Sequence, residues 1–178
     1  MSSKYDPFYR VRQFFRALRA VPLTKQEIER VREVLNPDAL ALYQSMPLGD
    51  QRHSLYILDA LRAQGYSAPP LLQAALLHDV AKRDIGLGYR TIVILMNRLS
   101  PNVLPRMASE NPHSWRYPLY RSLHHPAFGA ELVAHAGLET DTLNLIRAHQ
   151  DTAPSFPQED AAQLTAWHRA LKQLDDVN

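Results

Sequence analysis

The chemistry in this chain concentrates at adjacent His78 and Asp79, in the segment LLQAALLHDVAK, residues 71–82. That segment is apolar nearly all round, so it reads as the central, buried helix of a bundle. An ionised carboxylate there costs several kcal/mol unless it is partnered. A metal ion would satisfy the imidazole and the carboxylate together. The plainer alternative is a helix end emerging into water, with Asp79 paired to Lys82 or Arg83. Other polar residues bear on the choice. His53 shares a core-facing stripe with Tyr56, Ile57, Ala60 and Leu61. His149 lies on the apolar face of Leu145 and Ile146. Asp175 is in phase with Leu164, Trp167 and Leu171 and points inward, whereas Asp176 falls with Arg169 and Lys172 and points to water. One ligand-type side chain therefore projects inward from each of four helices, and a single metal site explains the set.

The positioning elements are read from local signals. Thr24 and Glu27 have capping-box spacing before an apolar-periodic stretch to Leu35. Asn36 and Pro37 suit an N-cap and first helical residue, for a helix reaching about Met46. Asp50 is expected to cap a third helix ending at Gly65, and Pro69-Pro70 to open a fourth running to about Arg83. The β-branched run TIVILMN, 91–97, leaves helix and strand open. Pro101 is a candidate helix start, and residues 109–122 read as an ordered loop. Pro126 starts a helix closed by Gly137, another spans Asp141 to His149, and a last one runs from about Gln158 to Asp176. No segment shows convincing period-2 alternation. The expected class is all-α.

The chain of 178 residues carries 46% hydrophobic and 21% charged residues and a net charge of +2. These values suit one globular domain and exclude wholesale disorder. There is no cysteine, which excludes a disulfide scaffold, a zinc ribbon and a thiol nucleophile. Any metal must be held by His, Asp or Glu, and eight histidines are available. The mild basicity suits anionic small molecules as readily as a phosphate backbone. The longest stretch free of charged residues, Ala63 to His78, contains Gly65, Pro69 and Pro70, so no membrane span is expected. The start, MSSKYDPFYR, lacks the apolar run of a signal peptide, and a cytoplasmic protein is expected.

The order His53, His78-Asp79 and distant Asp175 resembles the HD-domain superfamily of metal-dependent phosphohydrolases. RHSLYILDAL is similar to the family's first His helix, AALLHDVAK to its His-Asp helix, and LKQLDDVN to its closing Asp helix. HPAFGAELV, from His125, resembles the His-Pro-x-x-Gly-Ala segment of the HDIG branch, and LIRAHQD ends near a further His position. The resemblance covers about residues 50–178, and residues 1–49 read as an N-terminal helical extension packed on that domain. It implies that His53, His78, Asp79 and Asp175 ligate a divalent ion. Asp79 would bridge to a second ion held by His125 and His149. Nitrogen and carboxylate ligands suit Mn, Fe, Co, Ni or Zn, with Mg admissible. The implied reaction is hydrolysis of a phosphoester by a metal-activated water, with Lys82, before Arg83, neutralising a phosphate oxygen.

The expected partner is a phosphorylated small molecule, a nucleotide first, and neither a membrane nor nucleic acid is expected. The alternative is a non-catalytic metal-containing module that senses a nucleotide or docks a protein. Gln150 and Asp151 follow His149 where cyclic-dinucleotide hydrolases usually carry a second His and then Glu, and no Gly-Tyr-Pro motif occurs. The Glu-Asp pair of alarmone hydrolases is missing too, so both substrates are disfavoured. The absence of that second His should weaken the outer position. His124 is the lesser ligand candidate beside His125. His113 and His135 read as exposed, and His168 as core or as a support behind the ligands. Trp115, Tyr117 and Tyr120 read as packing before base stacking. Arg106, Arg116 and Arg121 are candidate phosphate contacts.

Overall fold

A computed structural model describes residues 21–99 and 103–177. Among them ten α-helices and one 3-10 segment occur, and no strand, as the all-α expectation requires. The helices are α1 (Lys25–Arg32), α2 (Pro37–Gln44), α3 (Leu48–Ala63), α4 (Pro69–Leu77), α5 (Leu87–Leu99), α6 (Val103–Met107), α7 (Tyr117–Leu123), α8 (His125–His135), α9 (Thr140–Ala148) and α10 (Ala161–Val177). The 3-10 segment, Val80–Asp84, follows α4. Among the described residues no helix is long and apolar enough to cross a membrane.

Local chemistry sets most boundaries. Thr24 and Glu27 close the capping box, with Glu27 N donating to Thr24 Oγ1 at 3.2 Å and Thr24 N to Glu27 Oε2 at 2.7 Å. Asn36 Oδ1 accepts from Ala39 N at 2.8 Å, and its Nδ2 donates to Ala136 O at 2.8 Å, so one side chain caps α2 and ties it to the end of α8. Gly137 takes φ 72°, a left-handed conformation that ends the α8 turn without a Cβ clash.

Four boundaries differ from expectation. Asp50 does not cap α3, which starts at Leu48 after Pro47. Its carboxylate instead pairs with Arg90 Nη1 at 2.7 Å. The fourth helix ends as an α-helix at Leu77, not near Arg83, with His78 as its C-cap. Residues 109–122 are not all loop, because α7 begins at Tyr117. Pro118 sits in its first turn, where no amide is needed, and Leu119 is buried against Val93 and Leu104. The last helix starts at Ala161 rather than Gln158. The TIVILMN run resolves as helix within α5. Pro101 and residues 1–20 lie outside the described residues.

α4 is the axis of the bundle. Pro70 to Leu72 and Ala74 to Leu77 are all buried, so every face must be covered. α3, α9, α10 and α2 cover it, while α8 lies on α9 and on the 3-10 segment. Val31, Leu35, Ala39, Tyr43 and Met46, from the first two helices and the turns after them, join the same apolar cluster as Leu58, Leu76 and Leu145. The helices α5 to α7 form a smaller cluster around Val93, Leu104 and Leu119.

One close approach joins this packing to the His-Asp turn. A Cβ on Gly129 of α8 would stand 3.3 Å from Ile146 Cγ2, 3.6 Å from Val80 Cγ1 and 3.8 Å from His78 O. Gly129→Leu should therefore push α8 away and destabilise the fold by roughly 1–3 kcal/mol, the range for overpacked cores. Gly129→Ala asks Ile146 to give by only a few tenths of an ångström and should cost less. Urea unfolding of both variants checks the order.

Candidate metal centre

The six residues expected as ligands converge. His78 caps α4, and the chain turns at Asp79 with φ −104° and ψ 9° before the 3-10 segment begins. Neighbours on one continuous α-helix project about 100° apart. The break lets both side chains face one centre, with His78 Nε2 3.6 Å from Asp79 Oδ2. His53 of α3 and Asp175 of α10 close one side: His53 Nε2 lies 2.9 Å and His78 Nε2 3.5 Å from Asp175 Oδ1. His125, first residue of α8, and His149, C-cap of α9, close the other. Their Nε2 atoms lie 3.3 and 3.6 Å from Asp79 Oδ1.

Three of the imidazoles are held in one tautomer. Nδ1 lies 3.0 Å from Ala75 O in His78, 2.8 Å from Ser122 O in His125 and 2.7 Å from Ile146 O in His149. Only an N–H can face a carbonyl, so each Nδ1 donates and each Nε2 of the neutral ring presents a lone pair. The lone pairs of His125 and His149 face Asp79 Oδ1, acceptor against acceptor, and His78 Nε2 stands between the Asp79 and Asp175 carboxylates. His78 Nε2, Asp79 Oδ1 and His149 Nε2 are accordingly buried with no hydrogen-bond partner. Buried polar atoms are rarely left unsatisfied, and a convergent set of nitrogen and carboxylate donors is what a transition-metal ion takes up.

Among the described residues two groups meet that requirement: His53, His78 and Asp175, and the buried Asp79, His125 and His149, with the ligand atoms of each group within 4.8 Å of one another. The second group can hold a metal ion out of water. The imidazoles form an edge-on row, with ring centres 5.5 Å apart for His53 and His78, 5.2 Å for His78 and His149, and 5.2 Å for His149 and His125.

The electrostatics follow from the same contacts. Burial opposes charge on His78, yet the Asp79 and Asp175 carboxylates outweigh it and raise the ring to about 9. Burial also works against ionised Asp79, but the Lys82 ammonium and His78 hold it well below the usual carboxylate range. Asp175 is lowered in the same way, His78 and His53 outweighing its burial. Burial, helped by Lys82, pushes His125 down to about 4 and keeps it neutral.

Of the plainer alternative for Asp79 the pairing holds and the emergence into water does not: Lys82 Nζ sits 2.8 Å from its Oδ2, and the carboxylate is buried facing the histidines. Arg83 turns away to Ser45 Oγ at 2.6 Å and Asp84. The expected core stripe of α3 is corrected. Tyr56 is 52% exposed, and the buried face is Gln51, Ser54, Leu55, Leu58 and Leu61 with Ile57, leaving His53 at its edge beside α10. The phase of α10 is as expected, with the Asp175 side chain 25% exposed and the Asp176 side chain 61% exposed beside Lys172.

His124 is exposed and packs tilted against Tyr120, ring centres 4.3 Å apart, rather than joining the convergent set. His113 and His135 are exposed. Trp115 is exposed as well, and Tyr117 stacks on Tyr120. Arg106 and Arg116 are exposed, while Arg121 pairs with Asp84 and lies over the Phe128 ring.

Sequence reasoning missed two supports and the partner of a third. Arg90 holds the turn after Asp79 by donating to Lys82 O and to Ile85 O as well as to Asp50. His168 is a support as expected, but its partner was not foreseen: Nε2 donates to Ala148 O at 2.9 Å, beside His149. Gln150 reaches His125, with its Nε2 3.4 Å from the ring Nε2. Only Gln150 had a signal, its position directly after His149.

No protein-family model matches the chain, and neither a curated protein nor a solved structure matches it.

Two expectations follow. Asp175→Asn should weaken metal uptake by at least about tenfold, as loss of a charged ligand does, whereas Asp176→Asn should leave uptake unchanged. Equilibrium dialysis against Mn or Co compares them. The second concerns the metal-free protein. His78 is raised from 6.5 to about 9, so its contribution to stability is complete below 6.5 and is lost as pH rises through 9. Unfolding midpoints in chelator should fall across that window, and added metal, which takes the place of the proton, should flatten the fall.

Proposed function

We propose that the protein is a metal-dependent phosphohydrolase of the HD-domain type, acting in the cytoplasm on a phosphoester of a small molecule, with nucleotides as the substrate class. The observation that carries the reading is the buried set of unsatisfied atoms, His78 Nε2, Asp79 Oδ1 and His149 Nε2, at the meeting point of six ligand-type side chains. The residue order in the sequence supports it independently.

In this reading His53, His78, Asp79 and Asp175 hold a first ion, and His125 and His149 share Asp79 with a second. Mn, Fe, Co, Ni or Zn suits the mixed nitrogen and oxygen set. Such an ion, when bound, supplies Lewis acidity toward a phosphoryl oxygen and lowers the pKa of a water.

The chain's own groups supply the rest. The Nδ1 hydrogen bonds of His78, His125 and His149 fix the rings so that no rotation is needed on binding. Lys82 is the cation nearest the ligands, its side chain 28% exposed, so its ammonium can serve Asp79 and an incoming phosphate oxygen together. Arg83, engaged by Ser45 and Asp84, is not available for that role.

The experiment is a metal-dependence assay with p-nitrophenyl phosphate and bis(p-nitrophenyl) phosphate after chelation and reloading with Mn or Co. Turnover should require the added ion. His78→Ala and Asp79→Ala should lose metal and activity together. Lys82→Met should keep the metal and lose activity by about 10²–10³-fold, the usual cost of one electrostatic stabiliser. Full metal content in both ligand variants would refute the site. Metal binding without turnover on any phosphoester would leave a binding module.

A further inference from the structure

The three ligand atoms around the outer side of Asp79 are not equivalent. Asp79 Oδ1 and His149 Nε2 have no hydrogen-bond partner, but His125 Nε2 has one. The ring donates through Nδ1 to Ser122 O, so its Nε2 carries a lone pair, to which Asp79 Oδ1, 3.3 Å away, cannot donate and an amide N–H can. The donor is the side-chain amide nitrogen of Gln150, 3.4 Å away.

Gln150 is delivered there by the backbone. It directly follows His149, whose ring is pinned to Ile146 O, and the carbonyl of Ala148 is held by both His168 Nε2 at 2.9 Å and Asp151 N at 2.8 Å. The turn that places Gln150 is therefore fixed from two sides. His125 is buried while Gln150 is exposed, so the amide covers the ring from the solvent side. The lone pair it occupies is the one that a metal ion at His125 and His149 would need.

We propose that Gln150 sets the order of metal loading. Its amide occupies the His125 lone pair, so an ion held by His53, His78, Asp79 and Asp175 binds first. A second ion at His125 and His149 binds only by displacing the amide. This rests on the reading of the site as a metal centre. Its consequence is that the two-ion form, which stabilises both attacking and leaving oxygens and so opens phosphodiesters to the enzyme, depends on metal supply. The claim differs from a merely missing ligand at position 150. A missing ligand makes truncation of Gln150 neutral, whereas a competitor makes truncation tighten the outer site.

The test is calorimetric titration of Co²⁺ into the chelator-treated full-length protein, Gln150→Ala and Gln150→Glu. The first uptake step should be the same in all three. The second should tighten by about two- to tenfold in Gln150→Ala, the worth of one neutral hydrogen bond. It should tighten further in Gln150→Glu, whose carboxylate cannot donate to the ring and attracts the cation. In the metal-free protein, the ¹⁵N resonance of His125 Nε2 should shift when Gln150 is truncated. A second step that is absent, unchanged or weaker in Gln150→Ala overturns the proposal, as does an unmoved His125 resonance. Absence of the first step brings down the reading of the metal centre itself, and is thereby distinguishable from a failure confined to Gln150.

Discussion

Everything near the centre answers to one constraint, the crowding of hydrogen-bond acceptors around Asp79. One carboxylate oxygen faces Lys82 and His78, and the other faces His125 and His149. Three of the rings spend their Nδ1 hydrogens on backbone carbonyls, which leaves nitrogen lone pairs and carboxylate oxygens to meet one another. His78 Nε2, Asp79 Oδ1 and His149 Nε2 are buried, and an unmet polar atom in such a place is costly. A cation placed there would resolve the conflict, and the Asp79 and Asp175 carboxylates favour a proton on His78.

The bundle supplies this centre through helix ends. His78 and His149 cap α4 and α9, and Asp175 lies in the last turn of α10. The C-terminal end of a helix carries partial negative charge and free carbonyls, so three such ends favour a cation there even before the side chains are counted. The Nδ1 bonds to Ala75 O and Ile146 O use carbonyls of those last turns. His125 is the exception, at the opening of α8, and it is also the ring that a neutral side chain reaches.

Rigidity comes from contacts behind the ligands. Arg90 joins α3 to the turn after Asp79 through Asp50, Lys82 O and Ile85 O. Arg121 ties α7 to the same turn through Asp84. The glycine at 129 lets α8 close on Ile146 and on the His78 backbone. These bonds hold the turn so that side-chain positions near Asp79 need little reorganisation.

The sequence alone determined the all-α class, the capping of α1 and α2, the burial of α4 and the inward phase of Asp175 against Asp176. Each rests on interactions within a few residues, capping spacing or the helical period, and these are legible without a fold. The inward phase of His149 was legible because apolar neighbours betray which way a polar residue faces, whereas His125 was named only through the family resemblance. Tertiary structure decided what depends on partners distant in the chain. Asp50 suits a helix cap by type, but Arg90, forty residues on, claims its carboxylate. His53 holds its place at the edge of the α3 face because α10 brings Asp175 to it across 122 residues. The α-helix of Leu71 gives way at His78 to a 3-10 segment, and Arg90, from the next helix, holds the end of that segment through the carbonyls of Lys82 and Ile85. No local pattern encodes those choices, since each acceptor had several donors within its chemical means and only the packed chain selects one.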